Sequence, residues 1–445
     1  MTSLEPTAGD APRIVRDVVC GFCGLGCDDL EVEVAGRRVM PRVACAEATR
    51  LLARADAPAP APRVGGQPAS LEAAAAAAAR HLSASRAAAF SGLGADLEGL
   101  RRLYDLAMVA GASLDHAASN GLFANLERLS RRGWIAATLA EVRNRCDLMV
   151  VLGPDPSATF ERFFPRALPA RPPGADGDAA PVFVAGGARR KVVVLGGPLS
   201  GTSRQALAAL EVTEIELAPD EVAPAMEALA ALLAGRAVGD LSVAAGADLL
   251  ALAEALRMAR YAVFTWSAAA LPAADAPLVA EAAAQAVDAL SRTTRAAVFP
   301  LGGRDNVTGA HQLALWRFGW PLRTVVGAGT ARHAPELYST RAALADADLL
   351  LHASAFRPDP PPDFARGPVI ALAHPDTVFA REPDVFIPVG TPGVDHGGHV
   401  FRMDSVVCLP LQALRPAELP SVGAAARAIF AAFAGLATDA SGRGA

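Results

Sequence analysis

Lys191-Val192-Val193-Val194-Leu195-Gly196-Gly197 is a short apolar run that ends in glycine. Such a run is too short for a helix and too uniformly apolar for a half-exposed strand, so it reads as a strand buried on both faces. The same grammar recurs along the chain. It is found at Ala87-Ala88-Ala89-Phe90, Leu148-Met149-Val150-Val151-Leu152, Tyr261-Ala262-Val263-Phe264-Thr265, Ala296-Ala297-Val298-Phe299, Asp348-Leu349-Leu350-Leu351 and Pro368-Val369-Ile370-Ala371-Leu372. Apolar strands that close on Gly or polar loops and alternate with helices specify α/β architecture with parallel sheets. Seven such strands are too many for one comfortable sheet, so two α/β lobes are expected. Ser70, with Glu72 in the first turn, opens a long Ala-rich helix ahead of the first of them.

The N-terminal region has a different character. Cys20, Cys23, Cys27 and Cys45 are spaced C-x2-C-x3-C-x17-C, with Gly21, Gly24 and Gly26 between the first three. Thiolates at these spacings can converge from one tight loop, as tetrahedral zinc or an iron–sulfur cluster requires. Between Cys27 and Cys45 the run Asp29 to Val34 alternates with period two, Ala35-Gly36-Arg37-Arg38 turns, and Val39 to Val43 returns. That pattern is a hairpin. The prolines of Asp56 to Pro62 mark an extended linker, Arg166 to Pro181 an exposed insertion, and the tail from Thr438 a frayed end.

Composition narrows the function. The 445 residues carry a formal charge of −5, which argues against nucleic acid or an anionic membrane as partner. The hydrophobic content is 52% and mean hydropathy +0.29, mostly from alanine, and no apolar run reaches membrane-spanning length. Met1 to Asp17 lacks the apolar core of a signal peptide, and a cytoplasmic protein is expected. Of 41 basic residues only Lys191 is lysine, a bias that a GC-rich genome explains. Cysteine usage points to a metal site plus two isolated buried thiols, Cys146 and Cys408, rather than to disulfides.

The remaining polar motifs are fragments. Gly92-Leu93-Gly94 and Gly196-Gly197 fall short of a dinucleotide fingerprint and read as tight βα turns. Gly302 to Gly309 follows a strand and precedes a helix, which places it at the ligand-binding edge of an α/β sheet. His396 and His399 are separated by glycines that argue against a helical metal pair, so both read as hydrogen-bonding histidines.

Four stretches together resemble one family. They are Val18 to Asp29, Thr138 to Asp147, Arg304 to Gly309 and Gly397 to Asp404. In that order they are similar to the B subunit of formylmethanofuran dehydrogenase, a molybdopterin-dinucleotide oxidoreductase. The resemblance implies a small N-terminal metal-binding β domain and linker (1–63) followed by two parallel-sheet lobes. The first lobe would be built from 64–147 and 326–445, the latter including the C-terminal tail, and the second, inserted lobe from 148–325.

The departures are as informative. Active members carry a metal-ligating cysteine or selenocysteine in a segment resembling Ser113 to Gly121, yet no cysteine lies between Cys45 and Cys146. Where the family has G-x-N-P and then His-Pro-Arg, this chain has Gly153-Pro154-Asp155-Pro156 and then Phe160-Glu161-Arg162-Phe163-Phe164. Carboxylates and phenyl rings there fail to pair with a pyrophosphate. Such decay matches the B subunit of the bacterial formyltransferase/hydrolase complex, which implies a non-catalytic scaffold in one-carbon metabolism. Its implied partners are the hydrolase (A), formyltransferase (D) and C subunits of that complex, and a methanofuran-like carrier. No catalytic residue is expected in this chain and no tungsto- or molybdopterin. The metal at Cys20, Cys23, Cys27 and Cys45 is read as zinc, with [4Fe–4S] as the alternative. Competing readings are an active tungsten or molybdenum dehydrogenase subunit, with a ligand such as Ser119, and a zinc-ribbon adaptor.

Overall fold

The computed structural model describes residues 12–169, 190–238, 246–416 and 418–442. The expected insertion at Arg166 to Pro181 lies outside them from residue 170 onward. The chain forms two compact units, residues 1–119 with 303–445, and residues 120–302.

The first unit contains a three-stranded antiparallel sheet of Arg13–Val18, Leu30–Ala35 and Arg38–Val43. The alternation in Leu30–Ala35 buries Leu30, Val32 and Val34, as period two predicts. Its larger sheet has nine strands. In spatial order these are Thr330–His333, Thr324–Gly327, Ser113–Leu114, Ala88–Gly94, Leu349–Ser354, Val369–Ala373, Val385–Pro388, Arg63–Val64 and Gln67–Pro68. The five from Ser113–Leu114 to Val385–Pro388 run parallel, and antiparallel hairpins extend both ends. Every residue of Ala88–Gly94 and Leu349–Ser354 is buried. From the first of these strands the chain winds outward to Ser113–Leu114, and from the second it winds the opposite way. The reversal makes the junction of these two strands a topological switch point. Helices Leu71–Ala84 and Leu97–Ala110 both pack against Val422–Gly442. Ser70 caps the first of them, its hydroxyl accepting from Ala73 N at 3.2 Å. The last helix continues to Gly442, so the backbone beyond Thr438 is helical rather than frayed.

The second unit is a five-stranded parallel sheet. Its order is Glu211–Glu216, Lys191–Gly196, Leu148–Leu152, Tyr261–Ser267 and Arg295–Leu301, with the switch point between Leu148–Leu152 and Tyr261–Ser267. An aspartate just before a strand fastens each of the two parallel sheets. Asp147 accepts from Arg260 N and Tyr261 N at 2.8 and 2.9 Å, and Asp348 accepts from Arg86 N and Ala87 N at 2.8 and 3.1 Å.

These boundaries differ from those expected at 148 and 325. The second unit takes in residues 120–147 because Val298 N donates to Ile135 O and Ala137 N to Val298 O. Buried Arg128 adds ion pairs to Glu281 and Asp288 of helix Ala276–Leu290. The first unit takes in residues from 303 because Tyr104 donates its hydroxyl to Ala310 O at 2.7 Å and Arg317 pairs with Asp105. Among the described residues no helix is long and apolar enough to cross a membrane.

Candidate functional site

The switch point of the nine-stranded sheet is where an α/β fold ordinarily receives a ligand, and here it holds a network of buried polar side chains. At its centre Arg357, 4% exposed, faces Asp305 through Nε, at 2.8 and 2.7 Å from the two carboxylate oxygens. Arg357 Nη1 donates to Glu47 Oε1 at 2.7 Å and Nη2 to Phe22 O at 3.4 Å. Burial works against the guanidinium charge, but Asp305 and Glu47 outweigh it and hold Arg357 protonated. Burial also raises the Asp305 carboxyl, against the pull of Arg357 and then Arg304. Asp305 and Asn306 both adopt positive φ (52° and 63°), which costs a non-glycine residue unless its surroundings impose it. The ion pair fixes the first. Asn306 is fixed by donating to Ala95 O and accepting from Phe401 N, each at 2.9 Å.

Two buried histidines complete the network. His116 Nδ1 accepts from Ala118 N at 2.9 Å, which leaves Nε2–H to donate to Asp305 O at 3.1 Å. His352 Nδ1 contacts Ser91 Oγ at 3.0 Å, and its ring lies over Gly92. A Cβ at Gly92 would fall 2.5 Å from Ala353 O and 2.7 Å from the ring, and φ is +77°. Only glycine fits there. Burial lowers both histidine pKa values to about 4, so both rings are neutral at pH 7.

The cysteine loop borders this network. Cys20 N donates to Cys27 O at 2.7 Å, Asp305 N to Phe22 O at 2.9 Å and Met403 N to Gly24 O at 2.9 Å. Cys20, Cys23 and Cys27 are buried, and Cys45 caps helix Ala46–Leu52, its Sγ accepting from Ala48 N at 3.5 Å. Burial raises the Cys20 and Cys23 thiols, Cys23 to about 12, and the neighbouring cysteines add to both shifts. The four are thus within electrostatic reach of one another. Among the described residues, however, no three cysteine, histidine or acidic side chains converge as a set that would hold a metal ion.

In the segment Ser113 to Gly121, Asp115 accepts from Thr340 N at 2.6 Å and from its hydroxyl at 3.0 Å, while Ser119 accepts from Arg323 at 3.2 Å. These polar groups are used internally. His396 faces the carbonyls of Gly397 and Gly390 at 2.7 and 3.2 Å, as expected of a hydrogen-bonding histidine, and His399 is exposed. Cys146 is buried, and burial pushes its thiol up. Cys408, in contrast to the buried thiol that its apolar surroundings predict, is exposed, because Cys408–Leu411 is a ribbon strand whose alternation turns Cys408 outward.

In the second unit the carboxyl edge of the sheet is likewise filled from within. The Asp155 carboxylate accepts from Ser157 N (2.9 Å), Ser200 N (2.8 Å) and Ser203 Oγ (2.9 Å). It thereby takes up donors of a βα turn that could otherwise face an anion. Phe160, Phe163 and Phe164 are buried, with Phe163 stacked on Phe299 at 6.2 Å.

No family model matches the chain. The B subunit of the formyltransferase/hydrolase complex Fhc of Methylorubrum extorquens is 30% identical over 368 residues, 80% of this chain and 92% of that protein. The chain belongs to this B-subunit family. The resemblance read from the cysteine loop and the three later segments is borne out. A chain of the crystal structure of the M. extorquens complex FhcABCD with methylofuran matches it with a TM-score of 0.70 at 25% identity, covering 85% of this chain and 100% of that one. The B subunit of the tungsten-containing formylmethanofuran dehydrogenase 2 of Methanocaldococcus jannaschii is 24% identical over 442 residues, 92% of this chain and 95% of that protein.

Two outcomes follow from the network. Arg357→Met leaves Asp305 with Arg304 alone, at 3.1 Å, and takes from Glu47 its Arg357 partner, so urea denaturation should show a loss of up to about 3–5 kcal/mol. The double variant with Asp305→Asn should recover part of it; strict additivity would show the pair is not coupled. Acid should act through His116, His311, His352 and His374, each lowered by burial to about 4. Unfolded histidines take up protons near pH 6.5, so below that pH the unfolded state binds more protons and stability falls. The urea midpoint should hold steady above pH 7 and drop between about 6.5 and 4, by up to about 1.4 kcal/mol per histidine per pH unit.

Proposed function

We propose that this chain is the non-catalytic B subunit of a formyltransferase/hydrolase complex. In that reading the complex passes formyl groups from tetrahydromethanopterin to a methanofuran-like carrier and releases formate. The partners would be the hydrolase (A), formyltransferase (D) and C subunits. The observation that carries the reading is that the carboxyl edges of both sheets are occupied by the chain's own side chains. Arg357 with Asp305 does this at the switch point of one unit, and Asp155 at the turns after Leu148–Leu152 and Lys191–Gly196 of the other. A protein that binds a charged pterin dinucleotide needs free donors at those edges. Six free cysteines suit a reducing cytoplasm.

The identity to a tungsten-containing relative favours, as second reading, an active dehydrogenase subunit. Metal analysis and acid extraction of pterin from the co-purified complex separate the two. Scaffolding predicts neither tungsten, molybdenum nor extractable pterin, and one equivalent of pterin per chain would establish the second reading instead.

For a metal, the donor chemistry of Cys20, Cys23, Cys27 and Cys45 fits: four thiols on one loop and the cap that follows it. A metal-bound thiolate can keep the bond that Cys45 Sγ accepts from Ala48 N. We read the centre as zinc, which would serve as a clasp on a small domain. Anaerobically purified complex should be colourless with about one zinc per chain; broad visible absorbance and iron would instead identify [4Fe–4S]. Cys20→Ser or Cys27→Ser should weaken assembly while the hydrolase subunit's own turnover is unchanged. Loss of turnover in an intact complex would overturn the scaffold assignment.

A further inference from the structure

One face of the first unit is built like the centre of a protein interface. Trp316 is 63% exposed and Trp320 47% exposed, and Met108, Val109 and Leu337 are exposed beside them. Contacts tie the elements that carry them together, and Trp316 itself packs edge-on against Phe401, with ring centroids 5.7 Å apart. Arg317 links helix Val307–Phe318 to helix Leu97–Ala110, reaching Asp105 at 2.7 Å and Met108 Sδ at 3.5 Å. Trp320 stacks on His333 with ring centroids 5.5 Å apart. His333 ends Thr330–His333, the outermost strand of the nine-stranded sheet, whose outer edge pairs with no other strand among the described residues. Leu337 follows on the next helical turn, Pro335–Tyr338.

Two exposed tryptophans, one of them beside an open sheet edge, are costly on a free surface. Tryptophan and arginine are also the side chains that most often carry binding energy at interface centres. The charge at this face is mainly positive. From Trp316 to Arg341 the sequence holds Arg317, Arg323, Arg332 and Arg341 but only Glu336 among acids, within a chain of net charge −5. Arg101, Arg332 and Arg341 are exposed and have no acidic partner among the described residues.

We propose that the face formed by Trp316, Trp320, Met108, Val109 and Leu337 docks another member of the complex, through an apolar patch on that protein rimmed by aspartate and glutamate. The tryptophans supply the desolvated centre, and the three arginines set orientation and speed encounter. This rests on the B-subunit reading and adds to it the surface through which assembly occurs.

The test uses the chain co-expressed with the hydrolase, formyltransferase and C subunits of its own complex. Trp316→Asp with Trp320→Asp should keep the thermal transition of the isolated chain and lower its affinity for the assembly at least tenfold. Charge reversal by Arg101→Glu, Arg332→Glu and Arg341→Glu, which leaves the tryptophans untouched, should weaken assembly too and abolish its salt dependence. Met258→Asp, on the other unit and 83% exposed, should change nothing. Failure of the unaltered chain to co-purify would overturn the B-subunit reading, and this proposal with it. Assembly by the unaltered chain and by both variants alike would overturn the docking face alone. A dimer of the isolated chain that the tryptophan variants dissolve, with the complex intact, would also overturn it by putting a second copy on the face. So would nucleic-acid binding lost in the arginine variant while assembly persists.

Discussion

The contact on which the first unit depends is the buried pair of Arg357 and Asp305. Its guanidinium meets Asp305, Glu47 and the carbonyl of Phe22, so one side chain ties the end of a sheet strand to the helix after Cys45, to the cysteine loop and to the turn before helix Val307–Phe318. Buried charge pairs contribute little net stability because desolvation offsets their attraction. What they impose is geometry. Asp305 and Asn306 hold left-handed conformations, and the pair, together with the two hydrogen bonds of Asn306, fixes that turn.

The same economy governs the carboxyl edges of both sheets. At a switch point, strand ends and βα turns leave backbone donors pointing outward, and these must find partners in a ligand, in water or in the chain. In the second unit the Asp155 carboxylate supplies the acceptor, collecting Ser157 N, Ser200 N and the Ser203 hydroxyl. In the first, His116 closes on Asp305 O and His352 on Ser91. An edge whose backbone donors are largely met from within depends less on a bound anion for stability. It can serve as a rigid body on which other chains assemble.

Much of this is legible in the sequence, for identifiable reasons. The seven apolar runs are readable because a parallel strand covered on both faces must be apolar throughout, and four of them assemble in one sheet and three in the other. Glu211–Glu216 escapes because it is an edge strand with exposed glutamates. Ser113–Leu114 and Arg63–Val64 escape because two residues carry no period. The missing cysteine and the intrusive Asp155 and phenylalanines are visible as departures from a family pattern. The Arg357 network is not: Arg357 is 52 residues from Asp305 and 310 from Glu47, and no local rule pairs them. The unit boundaries slip for a related reason. Periodicity locates strands, whereas the limits of a unit are set by long-range contacts such as Arg128 with Glu281 and Asp288.

These contacts also revise what the cysteine loop is for. Its path is held in part by contacts that involve none of its thiols: Asp305 N to Phe22 O, Met403 N to Gly24 O, Arg357 to Phe22 O, and the edge-on packing of Phe22 against Phe356. A zinc finger, by contrast, has no fold until its metal arrives. Here the loop is anchored to the larger sheet by backbone groups and one guanidinium, so a metal at the four cysteines would tighten a loop already in place. The loop and the Asp305 turn therefore stand or fall together. The stretches 18–29, 304–309 and 397–404, far apart in the chain, are parts of one anchored structure.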